Sequence, residues 1–148
     1  MARTALSAVL SLHLKQYLIL HQFEVRLDGQ VVVPELGRWN RSDLMQRADD
    51  AYLDVAPDWV CSLRSDRTSD DVYERRRTIY AEWGVAHLWS INVQACLLEA
   101  FELHQGSWRL MRKFGIDDAV STAPFDNLRF PLADLWPLNP SAKSEHVH

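Results

Sequence analysis

The spacing of apolar side chains changes several times along this chain, and the changes predict its elements. Leu6, Val9, Leu10 and Leu14 recur near helical spacing, so residues 2–15 are expected to form a short packing helix. From Tyr17 to Leu27 the pattern turns to strand: Phe23, Val25 and Leu27 alternate with Glu24 and Arg26. Asp28-Gly29 is a turn dipeptide before Val31–Val33, which predicts a hairpin. Residues 37–54 mix charged and polar side chains with few apolar ones. They read as a loop with one helical turn at 42–48, and Trp39 is expected to pin that loop to the body in preference to stacking on a base. A strand follows at 58–63. Residues 71–83 carry the clearest helix, with Val72, Ile79 and Trp83 offered to the core, Asp70 or Asp71 as its cap, and Gly84 closing it. Three meander strands are expected at 86–92, 95–103 and 108–114. Short edge pieces follow near Val120, Phe125, Leu128 and Phe130, then a last helical turn at 131–136.

This order predicts an α+β chain: a mostly antiparallel sheet with one main helix across it, in a single domain over 1–136, and a polar, disordered tail over 137–148. His146 and His148 lie in the tail and are given no role. Nothing in the chain is a repeat, a glycine-rich phosphate loop or a low-complexity tract.

Composition narrows the class. The 148 residues suffice for one hydrophobic core, and 47% hydrophobic with 24% charged is the balance of an ordinary globular protein. No apolar run approaches the roughly 18 residues of a membrane helix. Only Arg3 precedes the first apolar stretch and no small-residue cleavage site follows it, so a helix is expected there and not a signal peptide. Cys61 and Cys96 lack zinc-site spacing and read as buried reduced thiols of a cytoplasmic protein. The net charge of −4 excludes a surface that coats nucleic acid as a whole, so any contact with DNA must be local.

The chemistry concentrates in two places. Pro34-Glu35 closes one strand run, and Ala56-Pro57-Asp58-Trp59-Val60-Cys61-Ser62 opens another. Alternation puts Asp58, Val60 and Ser62 on one face. Two strands that each carry an acid beside a proline form the skeleton of a metal-dependent phosphodiesterase site. Plainer readings stand beside it. A Pro-Asp pair can cap a turn, Arg75-Arg76-Arg77 can be a solvated helix face, and the tryptophans at 59, 83, 89 and 108 are expected in the core.

Taken in order, Val31–Leu36, Ala56–Ser65 and Arg76–Trp89 resemble the Uma2 family, restriction-endonuclease-like proteins of bacteria within the PD-(D/E)XK nuclease superfamily. The resemblance spans roughly residues 17–136, with the family's front end shortened or replaced here. It implies a restriction-endonuclease-like α/β core with a mixed central sheet and flanking helices. It also implies a magnesium-dependent DNA endonuclease, with DNA as partner and the oligomeric state open, a homodimer among the options. The site it implies is Glu35, Asp58, Ser62 and Arg76, with Glu35 and Asp58 as the remaining metal ligands. Three positions depart from the family pattern: Glu35 replaces an aspartate, Ser62 the second-acid glutamate, and Arg76 the lysine four residues before Tyr80. Downstream of the Leu88-Trp89 strand, Ile91-Asn92-Val93 stands where Val-Asp-Pro is common.

These exchanges bear on the chemistry. Magnesium needs oxygen ligands to activate a water, and Ser62 removes a charge and a strong ligand. Glu35 adds a methylene, a shift in reach of about 1 Å that can cost on the order of 100-fold in rate. Arg76 can clamp a phosphate but stays protonated below a pKa of about 12, so it cannot serve as a base. Glu74 lies about 200° around the helix from Arg76 and does not replace the lost ligand. The expectation is a nuclease-fold chain whose cutting is weakened or lost. The alternative is a dead relative that binds DNA or a protein partner.

Overall fold

The computed structural model describes residues 16–45, 51–65 and 68–135. The expected N-terminal helix over 2–15 and the C-terminal tail lie outside these residues. A six-stranded mixed sheet runs in the order β1-β4-β5-β6-β7-β8. Its strands are β1 (Tyr17–His21), β4 (Leu36–Asn40), β5 (Trp59–Arg64), β6 (His87–Asn92), β7 (Leu97–His104) and β8 (Ser107–Phe114). β5 and β6 are parallel, and every other pair is antiparallel. The parallel pair requires a crossover, which the helix α2 (Asp70–Glu82) supplies. No helix of the described residues is long and apolar enough to cross a membrane.

Two sequence expectations change here. The strand expected from 17 to 27 is broken at Gln22, whose φ is +52°. Its first part, β1, pairs with β4. Its second part, β2 (Val25–Leu27), forms the expected hairpin with β3 (Gln30–Val32), turning through Asp28 and Gly29, both at positive φ. The segment expected as a loop after Glu35 is the strand β4, a central member of the sheet, followed by the five-residue helix α1 (Arg41–Met45). Polar Arg38 and flexible Gly37 hid it. Both are buried, because Arg38 meets a carboxylate partner and Gly37 leaves room for the Trp39 ring: a Cβ at Gly37 would sit 2.6 Å from it. Trp39 is indeed buried, and its Nε1 donates to Val55 O at 2.8 Å.

α2 begins one residue earlier than expected. Its cap is Ser69, whose hydroxyl accepts from the Val72 N–H at 3.2 Å, while Asp70 and Asp71 occupy the first turn where the helix dipole favours acids. Val72 is exposed, and Tyr73, Ile79 and Tyr80 face the sheet with Trp83 behind them. Gly84 ends the helix at φ +77°.

Strand alternation sorts the core into two layers. On the α2 side Trp39, Val60, Leu88 and Phe101 pack against Ile79, Tyr80 and Trp83. On the other side Leu36, Trp59, Cys61, Trp89, Ile91 and Leu98 lie under the closing segment. That segment contains β9 (Ala119–Val120), β10 (Phe130–Pro131) and a 3-10 turn, Leu132–Leu135. Trp59, Trp89 and Phe125 meet edge to face with centroids 5.0–5.4 Å apart, each pair contributing about 0.5–1.5 kcal/mol beyond area burial. Cys61 is buried in β5, whereas Cys96 sits in the β6–β7 turn at φ +52° and not in a strand.

Candidate functional site

Glu35 immediately precedes β4. The β4–β5 register runs Arg38↔Trp59, Gly37↔Val60 and Leu36↔Cys61, so one step further sets Glu35 beside Ser62. Ser62 is in turn the register partner of Ser90 on β6. Val60 and Leu88 belong to the core layer beneath α2, so by alternation Ser62 and Ser90 face that helix. Both serines are buried.

α2 answers them with a polar stripe. Tyr73, Arg76, Arg77 and Tyr80 stand three and four residues apart and so share one side of the helix. Tyr73 donates its hydroxyl to Ser90 Oγ at 2.7 Å and accepts from Arg77 Nη1 at 3.2 Å. The Arg77 guanidinium also lies 4.5 Å over the Phe101 ring, which removes it from free solution. Arg76 is half-buried. Burial pushes the Tyr80 hydroxyl up, Arg76 pulls it back down, and Glu35 and then Cys61 add to the rise. Glu35, Arg76 and Tyr80 therefore share one electrostatic neighbourhood. Burial, assisted by Glu35, also pushes the Cys61 thiol far up, so it is no nucleophile at neutral pH.

Asp58 stands apart. It precedes β5, about 13 Å along the strand from Ser62 at roughly 3.3 Å per residue. Both its carboxylate oxygens are taken by Arg38: Nε to Oδ1 at 2.9 Å and Nη2 to Oδ2 at 2.6 Å. Arg38 itself lies on the side away from α2, 3.9 Å over Tyr17 and 5.1 Å over Phe125. The Asp58 carboxylate is thus drawn to the side opposite Ser62, contrary to the shared face expected from alternation. The cause is local. Asp58 lies before the regular strand, and a buried guanidinium attracts a carboxylate more strongly than extended geometry constrains its side chain.

Continued one residue past its last pair, the β4–β5 register brings Glu35 toward Ser62, near Cys61 and Tyr80 and with Arg76 on the covering helix, while Asp58 is held elsewhere. Asp58 gives both carboxylate oxygens to Arg38, which lies three residues along β4 from Glu35, about 10 Å at roughly 3.3 Å per residue, so the two acids are not gathered at one point. Among the described residues no group of three or more His, Cys, Asp or Glu side chains is placed to hold a metal ion. With one carboxylate beside a serine, the donors present do not fit magnesium, which wants several hard oxygen ligands in near-octahedral order.

At the carboxyl ends of β5 and β6, a polar hollow of about 550 Å³ is lined by Arg64, Ser65, Thr68, Ser69, Asp70 and Asn92. Arg64 pairs with Asp70 and lies 4.3 Å over Tyr73. Sequence reasoning missed Arg38, Tyr73 and Ser90. Only the periodicity of Tyr73 and Tyr80, seven residues apart on α2, could have marked the inward stripe.

Comparison with known proteins agrees with this architecture. A crystal structure of a "putative nuclease belonging to DUF820" from Anabaena variabilis superposes with a TM-score of 0.74 at 14% sequence identity, covering 92% of this chain and 78% of that one. At that identity the likeness speaks for the fold, a restriction-endonuclease-like core with a mixed sheet. No curated protein matches the chain. The family model of Uma2, described as "Putative restriction endonuclease", matches residues 2–133. With a match over nearly the whole chain, the chain belongs to the Uma2 family.

Proposed function

We propose that this chain is a nuclease-fold protein that engages DNA and whose phosphodiester hydrolysis is severely weakened or lost. The observation that carries this reading is the company of Glu35: Ser62, a neutral side chain, lies beside it where a second carboxylate would be needed, and Asp58 is committed to Arg38. A phosphodiesterase of this kind relies on a divalent cation to activate water and to offset charge on the phosphoryl oxygens. One carboxylate holds such a cation weakly. Arg76 keeps a positive charge close to Tyr80, whose hydroxyl Glu35 also influences, and suits a phosphate oxygen pair, which supports binding more than proton transfer.

The test uses the purified chain with supercoiled plasmid in magnesium or manganese. The plasmid stays essentially intact with the natural sequence, and Ser62→Glu combined with Arg76→Lys gains metal-dependent nicking. Nicking by the natural chain that Glu35→Ala abolishes would overturn the loss of activity. Binding to a short duplex is followed by fluorescence anisotropy across salt. Arg76→Ala lowers the slope of log affinity against log salt by about 0.9, the value of one phosphate contact. An unchanged slope removes Arg76 from the interface.

A further inference from the structure

We infer that β8, the outer strand of the sheet, is the principal phosphate-backbone contact of this protein, an edge-on rail for nucleic acid. This rests on the DNA-binding part of the proposed function and adds where the polyanion lies.

The chain as a whole carries −4, yet the eight residues of β8, Ser-Trp-Arg-Leu-Met-Arg-Lys-Phe, hold three cations and no acid. Arg109, Arg112 and Lys113 are all exposed. They stand together on one strand, and no carboxylate or ring among the described residues holds them. Arg38 and Arg64 are held by carboxylates and Arg77 by a ring and a tyrosine hydroxyl, whereas none of the three on β8 makes an ion pair or ring contact among the described residues. Leu110 and Met111 lie between them with about half their surface in water, 47% and 49%. Apolar surface flanked by cations matches a partner with a charged backbone and less polar sugar faces.

The geometry selects the kind of partner. β8 has a neighbour on one side only, so its outer edge is open among the described residues. An open edge invites a further strand, from a second copy or from a peptide. Here the register shifts at Ala100/Phe101, leaving Met111 as the extra residue of a bulge in the middle of β8. A bulge twists the edge and interrupts the ladder an incoming strand would need. Two copies paired through β8 would also bring like charges together.

The same bulge distributes the cations around the edge. Lys113 pairs with Glu99, itself the partner of Ser90, and so faces the α2 side. Arg112 pairs with Ala100 in the opposite core layer, and Arg109 pairs with Glu102 on that same opposite side. Cations on both faces of one edge strand converge on a rod that runs along the edge, and a nucleic-acid backbone is such a rod. Lys113 lies three strand spacings from Ser62, about 14 Å across the sheet.

The experiment measures duplex binding by anisotropy over a range of salt, for the full chain and for the triple variant Arg109→Gln, Arg112→Gln, Lys113→Gln. The expected result is a fall of about 2.7 in the salt slope, roughly 0.9 for each lost phosphate contact, with at least a tenfold loss of affinity at low salt. The paired variant Arg109→Lys, Arg112→Lys keeps the slope. Amide hydrogen exchange on the natural chain gives a readout that needs no variant: adding duplex slows exchange within 107–114. A natural chain that binds duplex with neither a slope change in the triple variant nor protection of 107–114 overturns the rail. If Arg76→Ala still lowers the slope in that case, the proposed site stands. A slope that falls in the triple variant but not in Arg76→Ala supports the rail and removes Arg76. No binding at all overturns both. A dimer dispersed by Leu110→Asp makes β8 an interface between copies and also overturns the rail.

Discussion

Arg38 grips Asp58 through two parallel hydrogen bonds, 2.9 Å and 2.6 Å long, from the strand next to the one that Asp58 opens. The backbone repeats the tie, since the Asp58 N–H donates to Arg38 O at 2.9 Å. The guanidinium side chain is 9% exposed and the carboxylate 39% exposed, so the cation depends on its partner more than the acid does. This relationship takes the most acid-like feature of the sequence and assigns it to holding β4 against β5.

Asp58→Ala is therefore a stability variant. Removing one partner of a fully buried pair costs about 3–5 kcal/mol, and water at the carboxylate reduces this to about 1–3 kcal/mol here. Urea unfolding of Asp58→Ala, Arg38→Ala and the double variant gives a coupling energy of at least about 0.5 kcal/mol. Any nicking gained by Ser62→Glu with Arg76→Lys survives the addition of Asp58→Asn under conditions where the protein stays folded. Loss of that nicking without loss of folding would return Asp58 to the site.

The two central tryptophans separate packing from hydrogen bonding. Trp89 Nε1 donates to Ala123 O at 3.1 Å, whereas Trp59 Nε1 is buried with no partner among the described residues. Both rings sit in the same edge-to-face cluster. Trp89→Phe leaves a carbonyl unmatched, at about 1–3 kcal/mol, in addition to the packing loss. Trp59→Phe loses packing but also removes an orphan donor, so it costs less. Thermal or urea unfolding of the two variants orders them, and equal costs would contradict the difference in hydrogen bonding.

His87 opens β6, and its pKa lies below the ordinary 6.5 mainly because burial disfavours the charged ring. Arg38 adds to the depression, while Glu102, Asp58 and Asp126 oppose it. A folded pKa below the unfolded one means that the unfolded chain binds the extra proton. Stability from this group is complete above about pH 6.5 and is lost as pH falls toward the depressed value. Urea midpoints between pH 7.5 and pH 5 should therefore fall less steeply for His87→Gln than for the natural chain. Parallel slopes would remove His87 from the acid limb.

Much of this fold was legible along the chain, for physical reasons that act locally. The Asp28-Gly29 turn, the strand at 59–64 and the helix ending before Gly84 follow from turn chemistry, alternation and capping, none of which needs a distant partner. β4 was not legible. Leu-Gly-Arg-Trp-Asn offers neither alternation nor β-branched residues, and it becomes a central strand only because Arg38 finds Asp58 twenty residues later and Trp39 finds the space over Gly37. The candidate site divides in the same way. The sequence, through its resemblance to the family, singles out Glu35, Ser62 and Arg76 as the positions to look at. Which acid stands beside Ser62 was decided by the β4–β5 register and one ion pair, because strand pairing brings together side chains whose separation along the chain carries no local signal. The cations of β8 follow the same rule: their charges are written in the sequence, but only the order of strands makes them an edge.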